Sequence, residues 1–246
     1  MVSLVDQNLG VSLPNGLPAS DAGDQGSTAD NSGTTASDHT ATYAALMTPS
    51  NNSGVLGAAL VQMDDNSVTV DVQAIGLTPD LFHPLHIHGF LNGDPSHLPT
   101  LALDADHDGF IEAPEGELSI GTVLLSLTAS GTTTNEENTN DFPTAAPDGT
   151  LSFHQTYNFD MNDPQQAAIH DSLAAGLNGR DIELHGLTPP EGEGAGTPNE
   201  INGTHEYESQ LPVAGGILHE LPPDFGGSLE ELVALSIRAG DYFYYG

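Results

Sequence analysis

The sequence has no cysteine and almost no positive charge. Its 246 residues include 2 lysines and arginines against 35 aspartates and glutamates, which gives a formal net charge of −33. Without cysteine there can be no disulfide, no thiolate metal site and no cysteine nucleophile. Without a basic surface the chain cannot displace counterions from phosphates, and anionic lipid surfaces repel it. We therefore expect no nucleic acid among its partners.

Long apolar runs are missing as well. No stretch approaches the roughly 18 apolar residues of a membrane-spanning helix. Met1–Gly10 lacks the basic and apolar segments of an ordinary signal peptide. We therefore expect no membrane insertion. Oxygen and imidazole groups, in contrast, are abundant, with 35 carboxylates and 11 histidines. Because these groups are ligands of hard and borderline cations, the composition favours metal binding.

The composition also predicts the organisation of the chain. Residues 1–40 are rich in small polar residues and offer little for a core, so we expect a disordered or loosely attached arm. Farther on, 28 glycines and 17 prolines in a chain with 37% apolar residues indicate short elements and many turns, as in an all-β protein. We expect a β-domain over residues 41–222 and a C-terminal extension over residues 223–246.

Alternating hydrophobicity predicts a series of strands. Val68, Val70, Val72 and Ala74 alternate with polar residues and follow a polar turn, which predicts a hairpin with the apolar run Val55–Met63. Similar patterns predict further strands at Leu85–His88, Thr122–Thr128, Leu151–Phe159, Asp181–His185 and Gln210–His219. About seven strands joined by long loops are typical of a β-sandwich or a Greek-key barrel.

Two helices are predicted by their end signals. The first has Asp163 as N-cap, Pro164 at the first helical position and a glycine stop at Gly176. The second begins at Ser228, where Ser228 and Glu231 form a capping box.

Residues 104–115 match the twelve-residue calcium-binding loop at each diagnostic position. Carboxylates stand at positions 1, 3, 5, 9 and 12, Gly109 at position 6, and a backbone carbonyl is offered at position 7. Since Pro95 and Pro99 precede the loop and Gly116 follows it, we expect an isolated calcium loop between strands without a helix pair. Calcium would then order an acidic loop in a calcium-rich setting outside the cytoplasm. The predicted ligands are Asp104, Asp106, Asp108, the carbonyl of Phe110, Glu112 and Glu115.

A second motif is the His86-Ile87-His88 triplet. Residues two apart on a strand face the same side, so both imidazoles project together while Leu85 and Ile87 point into the core. His185 ends another predicted strand on its polar face. Three imidazoles from two strand ends suit copper or zinc. The alternative is an ordinary strand whose histidines bind no metal.

The segments around these histidines resemble the Cu/Zn superoxide dismutase superfamily and its copper-only and CHRD-type relatives. The resemblance covers about Tyr43–Leu221 and is carried by Gly76-Leu77, Pro84–Gly89, Leu177–Gly186 and Ser209–Leu218. It implies a Greek-key β-sandwich or barrel of superoxide dismutase-like, immunoglobulin-like type. It further implies that His86, His88 and His185 are copper ligands, and it makes His97 the nearest candidate for the family's bridging histidine.

The sequence also departs from this family. The family's zinc-binding residues are absent, and the calcium loop falls in their segment, so we expect calcium to take over the ordering role of zinc. Zinc itself would at most substitute at the histidine site. Gln210 stands at the place of the family's catalytic arginine. Of the other histidines, we expect His107 and His170 to be exposed and His154 to bind no metal, whereas His205 and His219 are near the side of the family's active site.

Two functions remain open from the sequence. One is an extracellular superoxide dismutase-like protein that binds copper and calcium and acts on superoxide; the other is a non-catalytic CHRD-type module for metal binding or for matrix or surface contact. The histidines favour the first and Gln210 favours the second. The acidic, cysteine-free composition and the calcium loop are typical of a secreted or periplasmic protein, including substrates of one-step bacterial secretion that have no signal peptide. A halophilic source is another explanation of the acidity.

Overall fold

A computed structural model describes residues 41–195, 201, 203–223, 225–234 and 237. The predicted N-terminal arm and part of the predicted C-terminal extension lie outside the described residues. In the described part the chain forms mostly antiparallel β-sheet with a few short helices, which confirms the all-β class. No helix among these residues has the length and apolar character needed to cross a membrane.

In the described residues, nine strands and the two helices α1 and α2 follow one another, and residues 229–234 form a further helical segment. The predicted strands are confirmed within a few residues, whereas β1 and the two-residue strand β9 were not predicted as separate strands. The strands are β1 Ala41–Pro49, β2 Leu56–Met63, β3 Ser67–Ile75, β4 Leu85–Gly89, β5 Thr122–Ser126, β6 Leu151–Asn158, β7 Asp181–Leu187, β8 Glu208–Ile217 and β9 His219–Glu220; the helices are α1 Ala113–Ile120 and α2 Pro164–Ala174, with a 3-10 turn at Leu101–Leu103.

The strands form one curled, half-barrel sheet with the order β5-β4-β7-β8-β1-β2-β3-β6, and β9 pairs with β1. Strand β1 makes the bend, because its first part pairs with β2 and its end, Thr48–Pro49, pairs with β8. The curl lets both halves bury their apolar faces in the same core, which includes Val72, Ile87 and Ile182. Near the two outer strands, the Tyr157 hydroxyl donates a 2.8 Å hydrogen bond to the carbonyl of Thr128.

Both predicted helix starts are confirmed. The Asp163 carboxylate accepts hydrogen bonds from the backbone N–H groups of Gln165 and Gln166, which caps α2. Residues 229–234 are helical, and the backbone N–H of Ser228 donates to Glu231 while that of Glu231 donates to the Ser228 hydroxyl.

Two sequence expectations were wrong. The acidic loop is followed by a helix, because a capping box between Glu112 and Glu115 starts α1 even though Gly116 costs about 1 kcal/mol inside a helix. On the entry side there is only the short 3-10 turn.

The second wrong expectation is an exposed His170. This residue is buried, with 9% of its surface exposed, because its ring packs edge-on against Phe159 at a centroid distance of 5.3 Å.

Candidate metal centres

The pairing of β4 with β7 brings the three predicted histidines together. The register sets His86 opposite Glu183 and Ile87 opposite Ile182, so alternate residues of both strands share a face. Ile87 and Ile182 lie in the core, while His86, His88 and His185 lie on the other face with one nitrogen of each within 4.8 Å of the others. The predicted grouping of these histidines is therefore present in the fold.

This polar face is buried rather than open. The exposed fractions of His86, His88 and His185 are 1%, 7% and 2%. The ring of Phe142 packs edge-on against His86 with the centroids 5.1 Å apart. A cavity of about 190 Å³ remains over the imidazoles, and besides the histidines it is lined by Ala113, Pro114, Glu117, Val123, Glu137, Asn138, Glu183 and Gln210.

Backbone carbonyls orient two of the imidazoles. His88 Nδ1 lies 3.0 Å from the carbonyl oxygen of Gly121, and His185 Nδ1 lies 2.6 Å from that of Gln210. Since a carbonyl only accepts, both Nδ1 atoms donate and both Nε2 atoms keep a lone pair. These Nε2 atoms have no hydrogen-bond partner among the described residues. Metal-binding histidines are held in the same way, with one nitrogen fixed by an outer acceptor and the other free for the ion.

Glycine is required where one of these carbonyls is supplied. Gly121 has φ of 85°, and a Cβ at this position would lie 2.4 Å from the backbone of Gly89. A side chain here would therefore push the end of α1 away from β4 and move the carbonyl that orients His88.

Burial keeps the imidazoles neutral. It lowers the pKa of His185 to about 3 and that of His88 to about 4. Burial, followed by the proximity of His185 and His88, holds the pKa of His86 well below its usual range. Neutral imidazole is the form that binds metal ions, so no proton has to be displaced at neutral pH.

Two buried acids on β7 were not singled out from the sequence. Glu183 is 1% exposed, and its Oε2 lies 3.4 Å from His185 Nε2 and 3.9 Å from His88 Nε2. Asp181 is fully buried opposite His88 in the strand register. The period-two alternation that places His185 on the polar face also places Asp181 and Glu183 there. The sequence pattern therefore contains the information needed to predict these two acids beside the histidines.

Gln210 lines the cavity and orients His185 with its backbone carbonyl. His97 is exposed in the loop after β4 and is not part of the histidine group.

Four further histidines of the described residues lie outside the group. His107 and His219 are exposed, as is His154, whose ring pairs with Asp71 at 2.6 Å. His205 Nδ1 lies 2.7 Å from the carbonyl oxygen of Pro189.

The acidic loop 104–115 is folded around converging carboxylates. One oxygen each of Asp104, Asp106 and Asp108 lie within 4.8 Å of one another, and Asp106 forms a second such group with Glu112 and Glu115. The Asp104 carboxylate accepts hydrogen bonds from the backbone N–H groups of His107, Asp108 and Gly109. The turn needs positive φ at His107 (65°) and Gly109 (94°). Phe110 anchors the loop through contacts with Ile201 and Leu211.

The environment within this loop raises the pKa of one of its carboxyl groups. Partial burial raises the pKa of Asp108, and the neighbouring charges of Asp106, Asp104 and Glu115 raise it further.

Helix α1 connects the two centres. Glu112 of the acidic loop is its N-cap and Glu115 lies in its first turn. Ala113, Pro114 and Glu117 of the same helix line the histidine cavity. A change in the loop that moves this helix would therefore also move one wall of the cavity.

A scan against models of protein families and a search of curated proteins both found no match to this chain.

The buried carboxyl group of Asp181 predicts a pH dependence of stability. Burial raises its pKa from 3.8 to about 8. Because the folded-state pKa is raised, the folded chain keeps a proton that the unfolded chain releases, and this stability is lost as the pH rises from about 4 to about 8. The variant Asp181→Asn should therefore gain stability over the unchanged protein as the pH is raised. The three histidines, whose pKa values are lowered, have the opposite dependence, which both proteins share.

Urea unfolding of both proteins without metal, at about pH 5, 7 and 9, measures the difference. The control is Asp65→Asn in the exposed β2–β3 turn, which should show no such trend. A difference between Asp181→Asn and the unchanged protein that stays constant across these pH values would contradict the buried, protonated carboxyl group.

Proposed function

We propose that this chain is a superoxide dismutase-like protein that binds copper through His86, His88 and His185, with calcium in the loop 104–115. The observation that carries the copper site is the convergence of three buried, neutral imidazoles, two of which are fixed by carbonyls so that their lone pairs face one cavity. Imidazole suits copper and zinc, and divalent copper binds more tightly than zinc in the general affinity order. Zinc would occupy the same site as a substitute.

The strand order supports the finer assignment to a Greek-key sandwich of the superoxide dismutase type. Strands β3 and β6 are neighbours in one half of the sheet, whereas β4, β5 and β7 lie in the other half. The connections β3–β4, β5–β6 and β6–β7 therefore cross between the halves, as the long connections of Greek keys do. The ligand strands β4 and β7 are central in their half, which gives the histidines a rigid support.

Superoxide is the substrate that such a site suits. Copper bound there would supply the one-electron redox couple that dismutation requires. The cavity of about 190 Å³ can admit a diatomic anion, and Gln210 at its wall can donate hydrogen bonds. No lysine or arginine of the described residues lines the cavity. Arg180 is instead buried, with its guanidinium bonded to the carbonyls of Phe90 and Asp94.

Calcium in the acidic loop is supported by the number and arrangement of oxygen atoms. Five carboxylates and the carbonyl of Phe110 stand at the loop positions that ligate calcium, and the turn at Gly109 is already formed. An ion there would neutralise the repulsion among the carboxylates and fix the start of α1. Because α1 is also a wall of the histidine cavity, calcium would order the copper site. Such loops suit the millimolar calcium found outside cells, so the proposal includes secretion.

The second candidate is a non-catalytic CHRD-type module that holds metal for storage or for contact with a matrix or surface. It is favoured by Gln210, which offers no positive charge where the resembled enzymes have an arginine. It is also favoured by the burial of all three imidazoles, which separates them from the solvent through which an anionic substrate exchanges.

Copper binding should be lost when two of the three imidazoles are removed. The double variant His86→Ala, His88→Ala leaves one histidine ligand, while the core face of β4 is untouched, so the chain should fold and bind no stoichiometric copper. The control His154→Ala, His219→Ala removes two imidazoles outside the cavity and should keep the copper. Copper content after purification without added metal, together with circular dichroism, measures both effects. Full copper occupancy in the first variant would locate the site elsewhere.

Calcium should stabilise the folded chain. An ion that binds only the folded state adds RT ln(1 + [Ca]/Kd), which is about 2.7 kcal/mol at a hundredfold excess over Kd. Removal of calcium by a chelator should therefore lower the melting temperature. Asp104→Ala should abolish this response, because Asp104 is the first loop ligand and also holds the turn. The control Asp65→Ala, an exposed acid outside the loop, should keep it. Identical melting curves with and without calcium would refute the calcium site.

Superoxide dismutation distinguishes the two candidates. No lysine or arginine of the described residues lines the cavity, and the net charge is −33, so the anion approaches against repulsion whose range falls from about 30 Å at 0.01 M salt to about 10 Å at 0.1 M. The rate of the copper-loaded protein should therefore rise with ionic strength. Gln210→Arg should raise activity, and Gln210→Leu, which adds no charge, should not. No activity at any salt concentration would favour the non-catalytic module.

A further inference from the structure

The carboxylate of Glu183 lies inside the histidine cavity. Glu183 pairs with His86 across the β4–β7 ladder and is two residues from His185 on its own strand, so all these side chains share one face. It is 1% exposed and belongs to the cavity lining. The strands that support the histidines therefore support Glu183 with equal rigidity.

The distances from Glu183 to two of the imidazoles fit those between ligands of one ion. Glu183 Oε2 is 3.4 Å from His185 Nε2 and 3.9 Å from His88 Nε2. Two donors bound to the same ion at about 2.0–2.1 Å with a tetrahedral angle are about 3.3 Å apart, and a wider angle increases this separation. A cation between these atoms thus requires only small shifts of the side chains.

The tautomers of His88 and His185 also support a cation between these side chains. Both Nδ1 atoms donate to backbone carbonyls, so both Nε2 atoms turn a lone pair toward the carboxylate instead of a proton. A positive ion placed between these atoms would accept both lone pairs and the oxygen of Glu183, which gives three favourable contacts.

We infer that Glu183 is the fourth protein ligand of the histidine site, which makes it a centre of three imidazoles and one carboxylate. This inference rests on the proposed copper site and deepens it. His97, the candidate that the resemblance suggested, is exposed and lies outside the histidine group, whereas Glu183 is buried in the cavity lining. The carboxylate cancels one charge of the bound ion. As a hard oxygen ligand, it favours divalent copper and zinc over monovalent copper. The site would therefore retain oxidised copper more tightly than reduced copper.

The test compares Glu183→Gln with Glu117→Gln in the full chain. Both changes remove one negative charge from the same cavity, but Glu117 is exposed at the wall formed by α1 and is not proposed as a ligand. Glu183→Gln should shift the EPR spectrum of bound divalent copper and lower its affinity, measured by chelator competition, by about 10–100-fold, the loss typical of even outer partners of a metal site. The affinity for monovalent copper should fall less. Glu117→Gln should leave the spectrum unchanged.

Glu183→Asp provides a second variant that keeps the charge and withdraws the carboxylate by one methylene, so it should also shift the spectrum. Circular dichroism checks that each variant is folded. Copper bound by Glu183→Gln and Glu183→Asp with the spectrum and affinity of the unchanged protein would overturn the inference and leave the three-histidine site intact. Equal losses of affinity in Glu183→Gln and Glu117→Gln, without a spectral change, would overturn it as well. Absence of stoichiometric copper from the unchanged protein would instead overturn the proposed function and the inference with it.

Discussion

The antiparallel pairing of β4 with β7 is the interaction on which both the core and the histidine centre depend. Its register directs Ile87 and Ile182 into the apolar interior and places His86 beside Glu183 on the opposite face. A slip by one residue would exchange these faces, bury the polar side chains in the core and expose the isoleucines. The hydrophobic free energy that fixes the register thus also fixes the spacing of the imidazoles. No separate interaction is needed to assemble the three histidines.

A polar face that is buried on a sheet must be covered and its polar atoms must be satisfied. Here the loops after β4 and β5, together with α1, cover it, and the carbonyls of Gly121 and Gln210 satisfy one nitrogen each of His88 and His185. Each buried polar atom left without a hydrogen bond costs about 1–3 kcal/mol. The nitrogens that face the cavity carry this cost in the chain alone, and a bound cation would offset it. An ion bound at this site would therefore also stabilise the folded chain.

Much of the fold was predictable because its signals are local. Alternation on β3 and β4 and the caps at Asp163 and Ser228 depend on residues close in sequence, and these elements occur as predicted. Strand β1 was not predicted because its sequence has no period-two pattern. Pairing with β2 and β8 stabilises its extended conformation.

Helix α1 was missed for a different reason. Its proline and glycine are typical of a loop. The capping-box hydrogen bonds that start the helix are made by Glu112 and Glu115, which the calcium motif assigns as metal ligands. The histidine grouping followed from strand periodicity, but the closeness of Glu183 to these histidines depends on the β4–β7 register, which no local pattern specifies.

The charge of the molecule acts in opposite directions on the two proposed functions. A net charge of −33 raises the local concentration of cations, so it assists the loading of both a calcium and a copper site. The same field repels an anionic substrate. Calcium would reduce the repulsion of an anionic substrate near the histidine cavity. The acidic loop adjoins α1, so the ion would cancel two negative charges beside the cavity. The electrostatics alone therefore favour the proposed capture of cations, whereas the proposed reaction of superoxide would become easier with calcium bound.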